Sequence, residues 1–447
     1  MKKLFSFSFV RPKFHNPIID GVRAWGLIMV LLGHLLHFYD PFFTKIEETS
    51  QLSDFFDFFR ADLAVDAFFV ISGFLIGSIL FKEYQKNLSL SFKRFYLNRF
   101  FRLMPVYFVC VFLGIIFYSL IKNSNSDMAP QIELMLGNFW TNLLYVNNFI
   151  PVQEQFMGWC WSLAIEEQFY LLVPLFIVGL FKWIKQKVWF FITLFFLSFV
   201  VRFYVVYHYN LVGEGFWGED ITSDSWRNTF NLLYSNLYTR YGGLLVGVLG
   251  SYFYVCYLNR VKKFFENVSF SRVLYFLSVF VFLCVFFKID FIYFSELTKT
   301  GINITATDLS FYEKIYFSFV VACSRNLFSL SVMYIIFYIM FSVKGQKSLL
   351  LKSLSSRFLF PISQLSYSAY LIHPFVMVPV FRYLTSFLFG YTDNIYSVFL
   401  LNSVVSLVLI YFLSLALHAL NNRVDHRLTC RWTGGEWGCR DTRGKSP

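Results

Sequence analysis

Residues 17–39 read PIIDGVRAWGLIMVLLGHLLHFY, an apolar run long enough to cross a lipid bilayer as one helix. Further apolar runs of similar length follow it along the chain. We predict membrane-spanning helices at about residues 17–39, 61–81, 105–121, 159–181, 188–207, 241–259, 273–293, 313–341, 367–389 and 395–419. The fold class predicted is all-α: a polytopic integral membrane protein with about ten transmembrane helices.

The composition of the 447-residue chain excludes a water-soluble domain. Hydrophobic residues make up 57% of the chain and charged residues 15%, against roughly 25% charged in globular proteins. Phe contributes 61 residues and Tyr 28, far more aromatic surface than a soluble domain can bury. The net charge of +12 lies in short clusters between apolar runs rather than on one basic face. We therefore predict a bilayer as partner and no nucleic acid.

The distribution of Lys and Arg predicts the topology. Alternate segments between the spans carry 27 of these residues on one side and 7 on the other. The richer side is cytoplasmic by the positive-inside rule, which places both termini in the cytoplasm and makes the number of spans even. We expect a cytoplasmic segment at 1–16 rather than a cleaved signal peptide, a membrane domain at 17–419, and a short, polar, flexible cytoplasmic tail at 420–447.

Ionisable residues inside the first span predict a functional site, because such residues are costly in a bilayer. Arg23 and His34 are eleven positions apart, so on a helix they point the same way within about 20° and lie roughly 16 Å apart along the axis. This suggests an anion anchor near the cytoplasm and a proton-transfer group deeper in. The alternatives are an Arg23 that snorkels to the interface and a His34 satisfied by a neighbouring helix. We expect Asp20 to pair with Arg23, and His37 to be interfacial.

Five stretches occur in the order of a known family. IDGVRAWGLIMVLLGH (19–34) resembles the opening signature of the acyltransferase family 3 membrane proteins, in which ten residues separate an Arg or Lys from a His. The other four stretches that are similar to the family's motifs are VDAFFVISGFLIG (65–77), FYLNRFFRLMP (95–105), WSLAIEEQFY (161–170) and SYSAYLIHP (366–374). The resemblance runs from about residue 17 to about residue 419.

The resemblance implies a membrane-bound O-acyltransferase. Members move an acyl group, most often acetyl from acetyl-CoA, to a carbohydrate hydroxyl across the membrane. Carried over residue by residue, Arg23 and His34 become the essential pair, Arg99 and Arg102 the contacts to CoA phosphates, and Glu166 a support or acceptor-side residue. Some relatives continue into an extracytoplasmic hydrolase-like domain. This chain ends in a short tail, so we expect the contribution of such a domain to be absent or to come from another chain.

The chemistry of the residues supports the donor site independently. Guanidinium groups suit phosphate through bidentate geometry and permanent charge. The predicted cytoplasmic segment 82–104 is basic, and we add Arg94 to Arg99 and Arg102 as candidate acyl-CoA contacts. The alternative is an ordinary positive-inside flank, which carries more weight for Arg94 than for the two motif arginines.

A histidine base suits acyl transfer to an alcohol, because its pKa lies near working pH. No Gly-x-Ser-x-Gly elbow occurs, so direct transfer with His34 as base is the simpler mechanism, and an acyl-histidine intermediate stays open. Glu166 begins the fourth span at its outer end and would contact the acceptor or orient a histidine, unless it is only an interfacial carboxylate. His373 fits a packing role as well as a functional one. Arg202 and Arg325 are intramembrane cations without a matched motif.

Two classes of function compete for this pattern. The first is an acyltransferase in the cell (plasma or inner) membrane, with acyl-CoA as donor co-substrate, a glycan or glycolipid acceptor and no metal. The second is a transporter or flippase for a small anionic or lipid-linked substrate, since transporters also carry intramembrane charges. Transporters often show inverted repeats, and none is visible in this sequence. The seven cysteines lack metal-type spacing and are assigned no chemistry.

Overall fold

A computed structural model describes residues 16–43, 60–124, 128–211, 224–266, 268–287, 310–392 and 394–432. Within these ranges the secondary structure is helical, with no strand. The side chain of His37 and the last part of the predicted tail, 433–447, lie outside the described residues.

The helices are, in chain order, α1 Pro17–Phe43, α2 Ala61–Asn87, α3 Phe92–Ser124, α4 Ala129–Gly137, α5 Phe139–Leu143, α6 Trp161–Trp183, α7 Lys187–His208, α8 Asp224–Thr229, α9 Leu237–Cys256, α10 Leu258–Glu266, α11 Val268–Phe286, α12 Phe311–Phe341, α13 Leu349–Leu354, α14 Leu359–Pro379, α15 Thr385–Leu388 and α16 Ile395–Trp432. One-turn π-helical segments at Phe230–Tyr234 and Val380–Leu384 precede α9 and α15. Short 3-10 turns occupy Asn147–Phe149, Val152–Glu154, Gly158–Cys160 and Gly345–Lys347.

The described helices confirm the predicted fold class. Nine of them are long and apolar enough to cross a membrane, and the number is ten if the bent pair α9–α10 forms one span. The axes of that pair differ by 95°. Two helices differ most from the predicted spans. The third span was expected to begin at about residue 105, but α3 begins at Phe92, so Arg94, Arg99 and Arg102 lie on the same helix as the apolar run. The tenth span was expected to end at about residue 419, but α16 ends at Trp432.

The described chain divides into two compact units. The first unit comprises Met1–Leu90 and Glu133–Gln364, and the second comprises Ser91–Ile132 and Leu365–Pro447. The first unit therefore holds α1, α2 and α5 to α13, together with the end of α4 and the beginning of α14. The second unit holds α3, the beginning of α4, most of α14, α15 and α16.

Glycines bring α2 and α9 of the first unit into backbone contact. A Cβ atom on Gly73 would collide with the carbonyl oxygen of Leu244, and one on Gly247 would collide with that of Val70. Gly73 and Gly77 are four residues apart on α2, the small-residue spacing that lets membrane helices approach closely. A side chain at Gly73 or Gly247 would force the two helices apart.

Contacts between helices give their relative directions. Val70 meets Gly247 and Gly77 meets Ser251, so α2 and α9 run in the same direction, as the second and sixth of alternating spans must. Arg202 of α7 donates to the carbonyl oxygen of Ala322 on α12. Ser198, one turn earlier on α7, accepts a hydrogen bond from Asn326, one turn later on α12. Helices α7 and α12 are thus antiparallel, as a fifth and an eighth span must be.

Helix α3 of the second unit packs against α16. The rings of Phe117 on α3 and Phe375 on α14 lie 5.3 Å apart between their centroids. Asn402 of α16 donates a hydrogen bond of 2.7 Å to the hydroxyl of Thr385, which begins α15. The second unit is thus joined by aromatic packing and by polar contacts between its helices.

Candidate functional site

Helix α1 carries both members of the predicted essential pair. It starts in a favourable way: the side-chain oxygen of Asn16 accepts a hydrogen bond of 3.0 Å from the backbone N–H of Ile18, and Pro17 takes the first helical position. The helix continues without a break through Arg23 and His34, and both side chains are half-buried. The structure therefore provides the continuous α-helix on which the predicted alignment of the two side chains depends.

The hydrogen bond of His34 fixes its tautomer. Its Nδ1 atom lies 2.8 Å from the carbonyl oxygen of Val30, one turn earlier on α1. A carbonyl oxygen can only accept, so Nδ1 carries the proton, and in a neutral imidazole the basic lone pair is then on Nε2. His34 is consequently oriented by its own helix, with Nε2 as the nitrogen that can take a proton.

A hydrogen-bonded chain connects Glu166 on α6 with α2. The hydroxyl of Tyr170, one turn after Glu166, donates to a carboxylate oxygen of Glu166 over 3.2 Å. The same hydroxyl lies 2.6 Å from the hydroxyl of Ser72 on α2. Because an ionised carboxylate only accepts, Tyr170 donates to Glu166 and Ser72 donates to Tyr170. The hydroxyl of Tyr170 therefore restrains the carboxylate of Glu166 and is itself held by Ser72. Glu166 belongs to the first unit, as do Arg23 and His34.

A buried charge cluster is the largest feature of the first unit that the sequence analysis did not find. Arg325 of α12 donates 2.6 Å to Asp66 and 2.8 Å to Asp62, both on α2. Arg60 contacts Asp62 over 3.0 Å, and Arg240 of α9 contacts Asp66 over 3.1 Å. The two aspartate side chains are 1% and 4% exposed. These ion pairs give Arg325, which had no matched motif, a structural partner on another helix.

Arg240, besides its ion pair with Asp66, packs against aromatic rings, and the buried Arg202 donates to backbone carbonyls. The guanidinium carbon of Arg240 lies 4.7 Å from the ring centroid of Tyr234 and 5.3 Å from that of Trp161. Arg202 donates to the carbonyl oxygens of Val321, Ala322 and Thr239 over 3.0, 3.1 and 3.0 Å. One signal in the sequence could have pointed to this cluster. Asp62 and Asp66 are four residues apart in an apolar span, and other spans carry cations that need an opposite charge.

The arginines predicted to bind CoA lie on α3, in the second unit. Arg94 and Arg102 are exposed, and Arg99 is partly buried, with its guanidinium 5.9 Å from the ring of Phe95. Arg99 and Arg102, three residues apart, lie on neighbouring parts of one helix side. Their surface position is accessible to a soluble anion, in contrast to the arginines of the buried cluster.

His373 lies on α14 in the second unit and is fully buried. Its Nδ1 atom is 2.7 Å from the carbonyl oxygen of Tyr370, so it has the same tautomer as His34. This backbone partner is the contact that the packing interpretation of His373 requires.

Comparisons with known proteins agree with the motifs. The family described as an acyltransferase domain matches residues 16–419. The peptidoglycan O-acetyltransferase OatA of Listeria monocytogenes is 34% identical over 38% of this chain and 25% of its own length. A putative O-acetyltransferase of Staphylococcus aureus, SAS0844, is 31% identical over 42% of this chain and 29% of its own.

A relative with a different name also matches. The nose resistant to fluoxetine protein 6 of Caenorhabditis elegans is 30% identical over 37% of this chain and 22% of its own length. The matched part thus spans about a quarter of the length of these curated relatives. No solved structure shows a significant match. With its family match over nearly the whole length and its long apolar helices, this chain belongs to the acyltransferase 3 family of multi-pass integral membrane proteins.

Proposed function

We propose that this protein transfers an acetyl group from cytoplasmic acetyl-CoA to a hydroxyl of an extracytoplasmic glycan or glycolipid. One observation carries the proposal: His34 commits Nδ1 to the carbonyl of Val30 and keeps its basic Nε2, on the same helix as Arg23. A histidine in this state has the properties of a general base for an alcohol. Membership of an acyltransferase family supplies the reaction type.

The reaction balances with His34 as its base. The acceptor oxygen attacks the thioester carbonyl while Nε2 of His34 takes the hydroxyl proton. The carbon–sulfur bond then breaks, and the imidazolium returns the proton to the departing CoA sulfur. The acetyl ester and free CoA are the products, and the histidine is again neutral. Arg23 contributes a fixed positive charge on the same helix face, roughly 16 Å away along the axis, and serves as an anchor for the anionic donor.

Arg94, Arg99 and Arg102 bind the phosphates of CoA in this proposal. The exposure of Arg94 and Arg102 supports that role, because a soluble nucleotide needs accessible cations. Segment 82–104, which includes these arginines, lies on the side of the membrane that is richer in Lys and Arg. The positive-inside rule assigns that side to the cytoplasm, and we therefore place the donor there.

Glu166 contacts the acceptor in this proposal. A carboxylate can accept hydrogen bonds from sugar hydroxyls, and Tyr170 restrains the Glu166 side chain over 3.2 Å. The name of one relative, a peptidoglycan O-acetyltransferase, supports a carbohydrate of the cell envelope as the acceptor class.

Replacing His34 tests the activity. We expect purified His34→Ala to lose acetyl transfer by about 10² to 10⁴ in rate, since it lacks the general base. It should still bind acetyl-CoA, because the arginines of α3 are intact. The measurement is release of free CoA in detergent with an added glycan acceptor, together with donor binding. The matched control is His208→Ala, an exposed histidine at the end of α7, which should keep wild-type rates.

Two outcomes would contradict the proposal. Full activity of folded His34→Ala would show that His34 is not the general base. Absence of CoA release by the wild-type protein, together with movement of a labelled substrate across proteoliposomes, would favour the transporter alternative.

Cysteine labelling tests the orientation. Leu88, between α2 and α3, is 79% exposed and Phe149, before α6, is 61% exposed. With a cytoplasmic donor site, an impermeant reagent added outside intact cells should label Phe149→Cys and should label Leu88→Cys only after the cells are opened. The protein without the added cysteine gives the background. Labelling of Leu88→Cys from outside would place the α3 arginines on the wrong side for acetyl-CoA.

A further inference from the structure

A proline removes a backbone hydrogen bond next to the helical turn that carries the candidate donor site. Pro105 lies inside α3, three residues after Arg102. Proline has no N–H to bond with the carbonyl of the residue four positions earlier, here Phe101, and its ring crowds that carbonyl. The backbone between Arg99 and Pro105 therefore has one intrahelical hydrogen bond fewer than the same stretch of a helix without proline. In membrane helices, neighbouring helices often supply the missing bonds.

Two side chains of the second unit donate to this stretch of backbone. The hydroxyl of Tyr367 on α14 donates to the carbonyl oxygen of Leu103 over 3.0 Å. The amide nitrogen of Asn421 on α16 donates to the carbonyl oxygen of Arg102 over 2.8 Å. The two accepting carbonyls are adjacent in sequence and directly follow that of Phe101. Two other helices thus hold α3 at the turn where its own hydrogen bonding is interrupted.

We propose that Tyr367 and Asn421 are positioning residues for the acyl-CoA donor, acting through the backbone of the Arg99–Arg102 turn. The starting direction of a helical side chain follows the rotation of its own turn, so holding two adjacent carbonyls restrains the position from which each arginine side chain extends. Bidentate contact between guanidinium and phosphate is sensitive to that direction. This inference rests on the proposed donor role of Arg99 and Arg102 and adds two residues that touch neither substrate.

Removing one donor at a time tests the inference. Tyr367→Phe deletes the hydroxyl and keeps the ring, and Asn421→Leu deletes the amide at similar volume. We expect each variant to raise the donor KM by about threefold to tenfold, the range of one intramolecular hydrogen bond. kcat at saturating acetyl-CoA and the acceptor KM should stay at wild-type values. Asn421→Gln, which retains an amide donor, should recover part of the donor affinity.

A matched control separates positioning from general packing. The hydroxyl of Tyr334 on α12 also donates to a backbone carbonyl, that of Ser271, over 3.0 Å, and this bond lies within the first unit. Tyr334→Phe thus loses a hydrogen bond of the same type and length away from the arginine turn, and should keep the wild-type donor KM. Thermal unfolding of each variant in detergent, with and without CoA, reports folding separately from binding.

The outcomes separate this inference from the proposed function. Arg102→Gln serves as the reference, since it removes a candidate phosphate contact directly. If Arg102→Gln raises the donor KM while Tyr367→Phe and Asn421→Leu do not, the positioning role is wrong and the donor site stands. If Tyr334→Phe raises the donor KM as much as Tyr367→Phe, the effect is general packing and the inference is also overturned. If Arg102→Gln itself leaves donor binding unchanged, the proposed donor site fails.

Discussion

Two groups of arginines, the buried cluster of the first unit and the candidate donor site of the second, have opposite surroundings. In the first unit, Arg325 is 13% exposed in its side chain and forms ion pairs with Asp62 and Asp66 at 2.8 and 2.6 Å. In the second unit, Arg102 lies on the surface of α3. A buried arginine needs a carboxylate, a carbonyl or an aromatic face because water is absent. An exposed arginine keeps its hydrogen-bond donors accessible to a ligand. The comparison teaches that the surroundings, rather than the residue type, decide whether an arginine is paired inside the fold or accessible to a ligand.

The largest expected effect concerns the buried side of this comparison. Asp66→Ala would leave Arg325 with one carboxylate and Arg240 with none among its described partners. Breaking a buried ion pair typically costs about 3–5 kcal/mol in the free energy of unfolding. We expect a large fall in folded yield and in the unfolding temperature measured in detergent. The control is Asp224→Ala, which removes an exposed partner of Arg227 at 3.3 Å and should leave both quantities unchanged. A stable Asp66→Ala protein would show that the cluster does not hold the helices together.

Charge reversal on the exposed side should change binding and leave folding intact. Arg99→Glu or Arg102→Glu would remove a charge-assisted contact worth about 1.5–3 kcal/mol, or roughly a tenfold to hundredfold rise in donor KM. The unfolding temperature without CoA should match that of the wild-type protein. Wild-type donor affinity in both variants would mean that these arginines only set the topology.

Salt should separate the two regions in a single protein. Raising the ionic strength from about 0.1 M to about 1 M shortens the Debye length from about 10 Å to about 3 Å. Donor affinity should fall, because salt screens the exposed charges. The fall should be smaller than that caused by the charge reversals. The unfolding temperature should respond much less, because the buried pairs lie away from the ions. A sodium salt and a potassium salt at equal ionic strength control for specific ion effects. Equal responses of affinity and stability would contradict the distinction between the two regions.

The smallest expected effect is that of the hydroxyl between Ser72 and Glu166. Tyr170→Phe removes the donor to the carboxylate, a bond worth about 0.5–1.5 kcal/mol. We expect a fall of a few-fold in kcat or a matching rise in acceptor KM, with an unchanged donor KM. Steady-state kinetics with each substrate varied in turn would test this. An increase confined to the donor KM would assign Glu166 to the donor side.

The sequence predicted the features that depend on local geometry. A helix repeats every 3.6 residues, so the alignment of Arg23 with His34 could be predicted once both were assigned to one helical span. The number of spans followed from the lengths of the apolar runs, and the described helices confirm it. The third span was predicted from its apolar run alone, from about residue 105, and the helix begins earlier than that run. Backbone hydrogen bonding carries α3 through the basic segment from Phe92 onward.

The contacts between helices required the tertiary structure. Arg325 and Asp62 are separated by 263 residues, and Tyr367 and Leu103 by 264. Apolar runs show that a helix crosses the membrane, but they do not specify which helix lies beside it or how it is rotated, because lipid and protein neighbours are similarly apolar. Glycine packing between α2 and α9 helps to set those rotations. By itself, the sequence therefore determined the apolar spans, and it proposes the motif residues of α1 and α3 as sites. The tertiary structure decided which charges are buried in pairs and which side chains hold the arginine turn.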